Sequence, residues 1–126
     1  MKILLAEDDV NVCTITQLCL ERIGGHQVSV ATDGAQALQM AQTAVFDVII
    51  LDGMMPKLSG LEVAKKLQEQ GKNQAPIIFL SAKSEEKDIK QFLSFGSGYI
   101  AKPFDPQSIC ARIDQILGHR KGKTGT

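Results

Sequence analysis

The stretch Asp47–Gly60, DVIILDGMMPKLSG, decides the fold. Val48-Ile49-Ile50-Leu51 is a continuous apolar run rather than an alternating one, the pattern of a strand covered on both faces inside a parallel sheet. Asp52 then leaves the expected Asp47–Leu51 strand at its carboxyl end, directly before Gly53. In open α/β sheets ligands bind in the crevice outside those ends, so a carboxylate there is placed for chemistry. A capping or turn aspartate is the other reading of an isolated Asp at a strand end. Residues distant in sequence decide between the two.

Toward the N-terminus, Lys2–Ala6 (KILLA) is a short apolar run followed by Glu7-Asp8-Asp9, and then by Val12, Ile15, Cys19 and Ile23 at helical spacing. This reads as strand, acidic turn and helix, with Asp9 able to cap the helix and Gly24-Gly25 ending it. Gln27–Ala31 (QVSVA) alternates apolar with polar and suits a strand near a sheet edge. A second helix is expected from about Gly34 to Thr43. Downstream of the central loop, a helix through Leu61, Ala64 and Leu67 ends near Gly71. Pro76–Leu80 (PIIFL) is a fourth strand closing on Ser81-Ala82, and Ser84 before Glu85-Glu86 predicts the N-cap of a fourth helix ending around Phe95-Gly96. Tyr99-Ile100-Ala101 makes a short last strand ending in Lys102-Pro103, a bond able to be cis and so to fix the lysine's direction. Asp105-Pro106 opens the last helix, whose core face is Ile109, Ile113, Ile116 and Leu117. One domain is expected over residues 1–118, with 119–126 a flexible tail or the start of a linker.

Five strands alternating with five helices require right-handed crossovers and one doubly wound α/β sheet between two helix layers. The strands at Ile3, Val48 and Ile77 are the most uniformly apolar and therefore central, which gives the flavodoxin-like order 2-1-3-4-5. Its switch point lies between strands one and three, so Glu7, Asp8 and Asp52 converge in one crevice. Fourteen Lys+Arg balance fourteen Asp+Glu, leaving no basic footprint for nucleic acid or a membrane surface. No apolar stretch approaches the length of a bilayer span and no signal-peptide pattern is present, so the protein is expected in the cytoplasm. Cys13, Cys19 and Cys110, odd in number and without C-x-x-C spacing, read as packed thiols.

Three carboxylates at roughly 5 Å, with an effective dielectric near 20, repel by about 3 kcal/mol per pair, so protons or a cation must compensate. All-oxygen ligands without His or thiolate select a hard ion, and a site open to phosphate favours Mg2+. A solvated acidic rim at a helix N-terminus is the plainer reading. Ser81 and Lys102, however, end strands four and five and point into the same crevice. A hydroxyl and an ammonium beside three carboxylates can bind a metal and a phosphoryl group together.

With these motifs in place the chain resembles the receiver domain of two-component response regulators over essentially its whole folded length. The resemblance rests on Glu7-Asp8, DVIILDGMMPKLSGLEV around Asp52, Ser81-Ala82 and Tyr99-Ile100-Ala101-Lys102-Pro103-Phe104. It implies that Asp52 accepts a phosphoryl group from a histidine kinase or phosphotransfer protein, with Glu7, Asp8, Asp52 and the Met54 carbonyl organising Mg2+. It also implies that Ser81 and Lys102 bind phosphoryl oxygens and that Ser81 and Tyr99 move together. The change would spread to the face made by helix four, strand five and helix five, read by a downstream protein or a fused effector domain. Phosphoryl transfer by in-line displacement needs no more than this from the side chains. Met54 and Lys83 are the residues placed to tune the lifetime of the product. Ser81 stands where Thr is more frequent, Gly53 where a larger residue is usual, and Ser97-Gly98 where transcription-factor receivers often carry an acidic pair.

Two other readings remain from sequence. A haloacid-dehalogenase-type phosphatase also uses a strand-end Asp with Mg2+, but wants a second Asp where Met54 stands. A degenerate receiver working as a phosphorylation-independent binding module is expected to lack an acid or the lysine, and all are present. A dinucleotide site lacks its G-x-G-x-x-G turn.

Overall fold

The computed structural model describes residues 1–71 and 75–121. Strands and helices alternate as β1 (Lys2–Ala6), α1 (Val10–Arg22), β2 (Gln27–Ala31), α2 (Gly34–Thr43), β3 (Val48–Asp52), α3 (Gly60–Glu69), β4 (Ile77–Ser81), α4 (Glu86–Phe95), β5 (Gly98–Ala101) and, after a 3-10 turn at Pro106–Ser108, α5 (Ile109–Lys121). All strand pairs are parallel, in the order β2-β1-β3-β4-β5. This is the doubly wound sheet expected from sequence.

The continuous apolar strands are explained by burial on both faces. Ile3, Leu5, Ile50, Ile78, Leu80 and Ile100 pack with Cys13, Leu20, Ile109, Ile113 and Leu117 in the layer under α1 and α5. Their neighbours Leu4, Ile49, Leu51, Ile77 and Phe79 pack with Ala37, Val63, Leu67 and Phe92 under α2, α3 and α4. Because successive strand residues point to opposite faces, a strand between two helix layers has no position left for a polar side chain. β2, at the edge, keeps its alternation.

Several sequence expectations need correction. Strands three and four each end one residue later than expected, at Asp52 and Ser81, because the parallel ladder continues to Asp52↔Leu80 and Ser81↔Ala101. Both residues are thus held by the sheet rather than carried on loops. On α1 the buried positions are Cys13, Thr16 and Leu20, whereas Ile15 and Ile23 are exposed. Two apolar stripes one residue apart run along this helix, and the one that packs with α5 and the sheet, Cys13 and Leu20, is the one buried; Asp9 caps the helix by accepting from the Asn11 and Val12 amides. Ser84 does not cap α4. Glu85 occupies the N-cap without a side-chain hydrogen bond, so the helix start is held by main chain alone, Asp88 and Ile89 N–H donating to the Glu85 carbonyl. α5 continues through Lys121, so residues 119–121 of the expected tail are helical, and residues 122–126 lie outside those described.

α3 begins with a capping box: Ser59 accepts from Glu62 N–H while the Glu62 carboxylate accepts from Ser59 N–H. Its first residue must be small, since a Cβ on Gly60 would lie 2.4 Å from the Asp52 carbonyl oxygen. The helix start is therefore packed directly on the end of β3. All three cysteines are free, and no helix among the described residues is long and apolar enough to cross a membrane.

Candidate functional site

The carboxyl ends of β1 and β3 bring Glu7 and Asp52 together, and the turn after β1 adds Asp8. One carboxylate oxygen from each lies within 4.8 Å of the others. Glu7 is 1% exposed and Asp52 4%, while Asp8 is open to solvent. Asp9, next in sequence, faces away to cap α1, and its N–H donates to Glu7 Oε2 at 3.2 Å. Asp8 in the crevice and Asp9 on the helix is the division expected from sequence.

Lys102 follows β5, its Nζ 2.7 Å from Glu7 Oε1 and 3.0 Å from Asp52 Oδ2. Its backbone N–H donates to the Ser81 carbonyl at 2.9 Å, and the Lys102–Pro103 peptide is cis. The ammonium thus bridges two buried carboxylates that would otherwise repel. Burial pushes the Glu7 carboxyl up to about 7, with the Asp52 carboxylate adding to the rise and Lys102 opposing it. Burial also works on Asp52 in the same sense, but the hydrogen bonds from Glu7 and Lys102 and from the Met54 amide outweigh it and hold this carboxyl below its ordinary value. Lys102 stays charged: burial disfavours its ammonium, yet the bonds to Glu7 and Asp52 raise it above the usual lysine value. The outcome is an ionised Asp52 beside a Glu7 that holds its proton more readily.

The Asp52 Oδ1 accepts from Met54 N–H at 3.2 Å, and Gly53 N–H donates to the Leu80 carbonyl at 2.7 Å. Ser81, 1% exposed, accepts from Lys83 N–H through its Oγ at 3.0 Å, which leaves the hydroxyl proton available to an oxygen in the crevice. The Tyr99 hydroxyl lies 2.6 Å from the Lys83 carbonyl and 3.2 Å from that of Ser81. Tyr99 is therefore already tied to the loop after β4, where sequence reasoning has it moving into space vacated by Ser81. Its ring stacks on Phe92, centroids 5.4 Å apart. Lys83, expected to turn its ammonium toward a phosphoryl group, lines with Met54 and Gly53 a cavity of about 240 Å³ between the β3–α3 loop and α4.

These residues suit a hard divalent cation. The donor set is entirely oxygen, and two of its three carboxylates, Glu7 and Asp52, are buried with only the Lys102 ammonium to offset their charge. Two features escaped the sequence reading. One is the direct Glu7–Lys102 contact. The other is Phe92, whose role has no local signal because its partners Phe79 and Tyr99 lie on β4 and β5.

A model of the response regulator receiver domain matches residues 3–114, and the chain belongs to that family. It is a receiver domain of two-component phosphorelay signalling, a signalling module with an acidic Glu7–Asp8–Asp52 cluster at its switch point. The chain is similar to the alkaline phosphatase synthesis transcriptional regulatory protein PhoP of Bacillus subtilis, at 44% identity over 92% of this chain and 48% of the relative. It thus spans about half the length of the curated relatives it matches. Among solved structures, the Francisella response regulator 1452 receiver domain aligns with a TM-score of 0.84 at 32% identity, covering 94% of this chain and 98% of that one. The receiver domain of the sensor histidine kinase PA1611 from Pseudomonas aeruginosa, with magnesium coordinated in its active site cleft, aligns with a TM-score of 0.81 at 30% identity, covering 93% and 97%.

Proposed function

We propose that Asp52 is the phosphoacceptor and that Glu7, Asp8, Asp52 and the Met54 carbonyl hold Mg2+. The observation that carries this reading is the Lys102 ammonium lodged between two buried carboxylates, one kept ionised, at the switch point of the sheet. The donor is the phosphohistidine of a histidine kinase or phosphotransfer protein. An Asp52 carboxylate oxygen attacks phosphorus as the phosphorus–nitrogen bond breaks, and the imidazole nitrogen leaves with the electron pair and takes a proton. No general base is required, since Asp52 is already ionised. Lys102 neutralises charge on the phosphoryl oxygens and Ser81 donates its hydroxyl proton to one of them. Bound Mg2+ supplies further neutralisation of the transferring group. The acyl phosphate is later hydrolysed at the same site by the domain itself.

The donor protein approaches over α1. A groove of about 360 Å³ lined by Asn11, Val12, Ile15, Pro103, Phe104 and Pro106 starts at Lys102 and Ala82 on the rim of the site. Exposed Val10, Ile15 and Leu18 extend its apolar character along the helix. α4, β5 and α5 form the output face, read by a downstream protein or a fused effector domain. We assign this domain no nucleic-acid or membrane contact, since its fourteen basic and fourteen acidic residues cancel. We place the domain at residues 1–121, to the end of α5, and the protein in the cytoplasm.

Incubation with a small phosphodonor and Mg2+, followed by mass spectrometry, is expected to add one phosphoryl group, absent in Asp52→Asn. Modification persisting in that variant would overturn the assignment.

A further inference from the structure

We propose that Phe92 is a positioning residue, seated in the space left by Gly53 next to the acceptor, through which events at Asp52 and Ser81 set the position of α4. The inference rests on Asp52 as phosphoacceptor, but the contact that carries it exists without a phosphoryl group. A Cβ built on Gly53 would lie 3.1 Å from Phe92 Cζ and 3.1 Å from both Cβ and Oγ of Ser81. The ring tip of Phe92 and the side chain of Ser81 thus meet over the residue that follows Asp52. Phe92 is also the single buried residue of α4, whose start has no side-chain cap. With Phe95 only partly buried against the same core, this ring is the main anchor of the helix. That ring contacts Phe79 of β4, centroids 4.9 Å apart, and stacks on Tyr99 of β5.

The consequence is a second route out of the site beside the Tyr99 hydroxyl. When the Ser81 side chain turns toward an oxygen on Asp52, or when Gly53 shifts with its neighbour, the ring tip loses or gains room. Close-packed interiors respond to such changes by moving the less constrained partner. Ser81 is locked in the ladder of β4 and β5, whereas Phe92 stands on a helix with one buried residue. The helix is the part that yields.

Hydrogen exchange of α4 amides, read by mass spectrometry without phosphodonor, tests the contact. Gly53→Ala is expected to speed exchange in α4 on the order of tenfold by overpacking the ring tip. Phe92→Leu, shorter at that tip, should remove most of the effect in the double variant, giving a coupling between the two sites. Wild-type exchange in Gly53→Ala, or an effect relieved by Ser81→Ala and not by Phe92→Leu, would overturn the proposal. A second arm uses Phe92→Leu with the small phosphodonor and Mg2+. It should gain one phosphoryl group on Asp52 and lose the phosphorylation-dependent change in α4 exchange. Retention of that change would also overturn the proposal, whereas a phosphoryl group found elsewhere than Asp52 would sink the functional reading and leave the Gly53–Phe92 coupling to stand on the first arm.

Discussion

At the scale of single residues, the site separates groups that look alike in sequence. Met54 is 60% exposed at the mouth of the cavity it shares with Lys83, apolar and flexible enough to cover an approach without holding a water. Hydrolysis of an acyl phosphate needs a water in line with the departing carboxylate. Met54→Asn puts a water-orienting amide there, and phosphate release is expected to quicken by roughly one to two tenfold steps, about 1.4–2.7 kcal/mol of barrier. An unchanged rate with Mg2+ saturating would show that Met54 does not govern water access. Asp8 and Asp9 divide in the same manner. Asp8→Ala should abolish most Mg2+ affinity by calorimetry with little change in stability. Asp9→Ala should keep the affinity and lose about 1 kcal/mol through the missing cap on α1. Equal loss of affinity in the two would show that the turn after β1 has been misread. The acidic trio was legible because strand ends are legible, and so was the division between Asp8, which follows the strand end into the crevice, and Asp9, which is left to cap α1.

At the scale of elements, caps couple helices to the loops that shape the site. Asp33 caps α2 by accepting from Gln36 N–H at 2.8 Å, and its carboxylate stands 3.5 Å from Lys57 in the β3–α3 loop. The backbone bond from Gln36 is the main cause that holds its carboxyl below the ordinary value, with Lys57 adding a smaller pull. A carboxyl depressed in the folded state contributes stability that is present above its unfolded pKa and is lost as pH falls through the folded one. Thermal melts should therefore show the wild type losing an advantage over Asp33→Asn as pH drops below about 4, the unperturbed range for Asp. Parallel curves across that window would rule out the contribution. The boundaries of α2 were readable from sequence to the residue. The rotation of α1 was not, because its two apolar stripes differ by one position and burial of Leu20 rather than Ile23 depends on what α5 presents.

At the scale of the whole molecule, the sheet between two helix layers predicts a symmetric sensitivity. Ile49 and Ile50 are adjacent on β3 but belong to opposite cores. Denaturant unfolding of Ile49→Ala and of Ile50→Ala should each show a loss of about 2–5 kcal/mol, whereas a sheet covered on one face would leave one of them nearly silent. The sequence by itself determined the fold class, the strand order and the convergence of Glu7, Asp8, Asp52, Ser81 and Lys102. Each of these follows from local apolar runs and from the rule that parallel strands present their carboxyl ends on one side. Only the tertiary structure decided that Lys102 bridges Glu7 and Asp52, that Tyr99 is tied to the Lys83 carbonyl, and that Phe92 fills the space over Gly53. Those contacts join residues on different strands and helices, and their geometry is set by how the layers pack, which no periodicity within one element encodes.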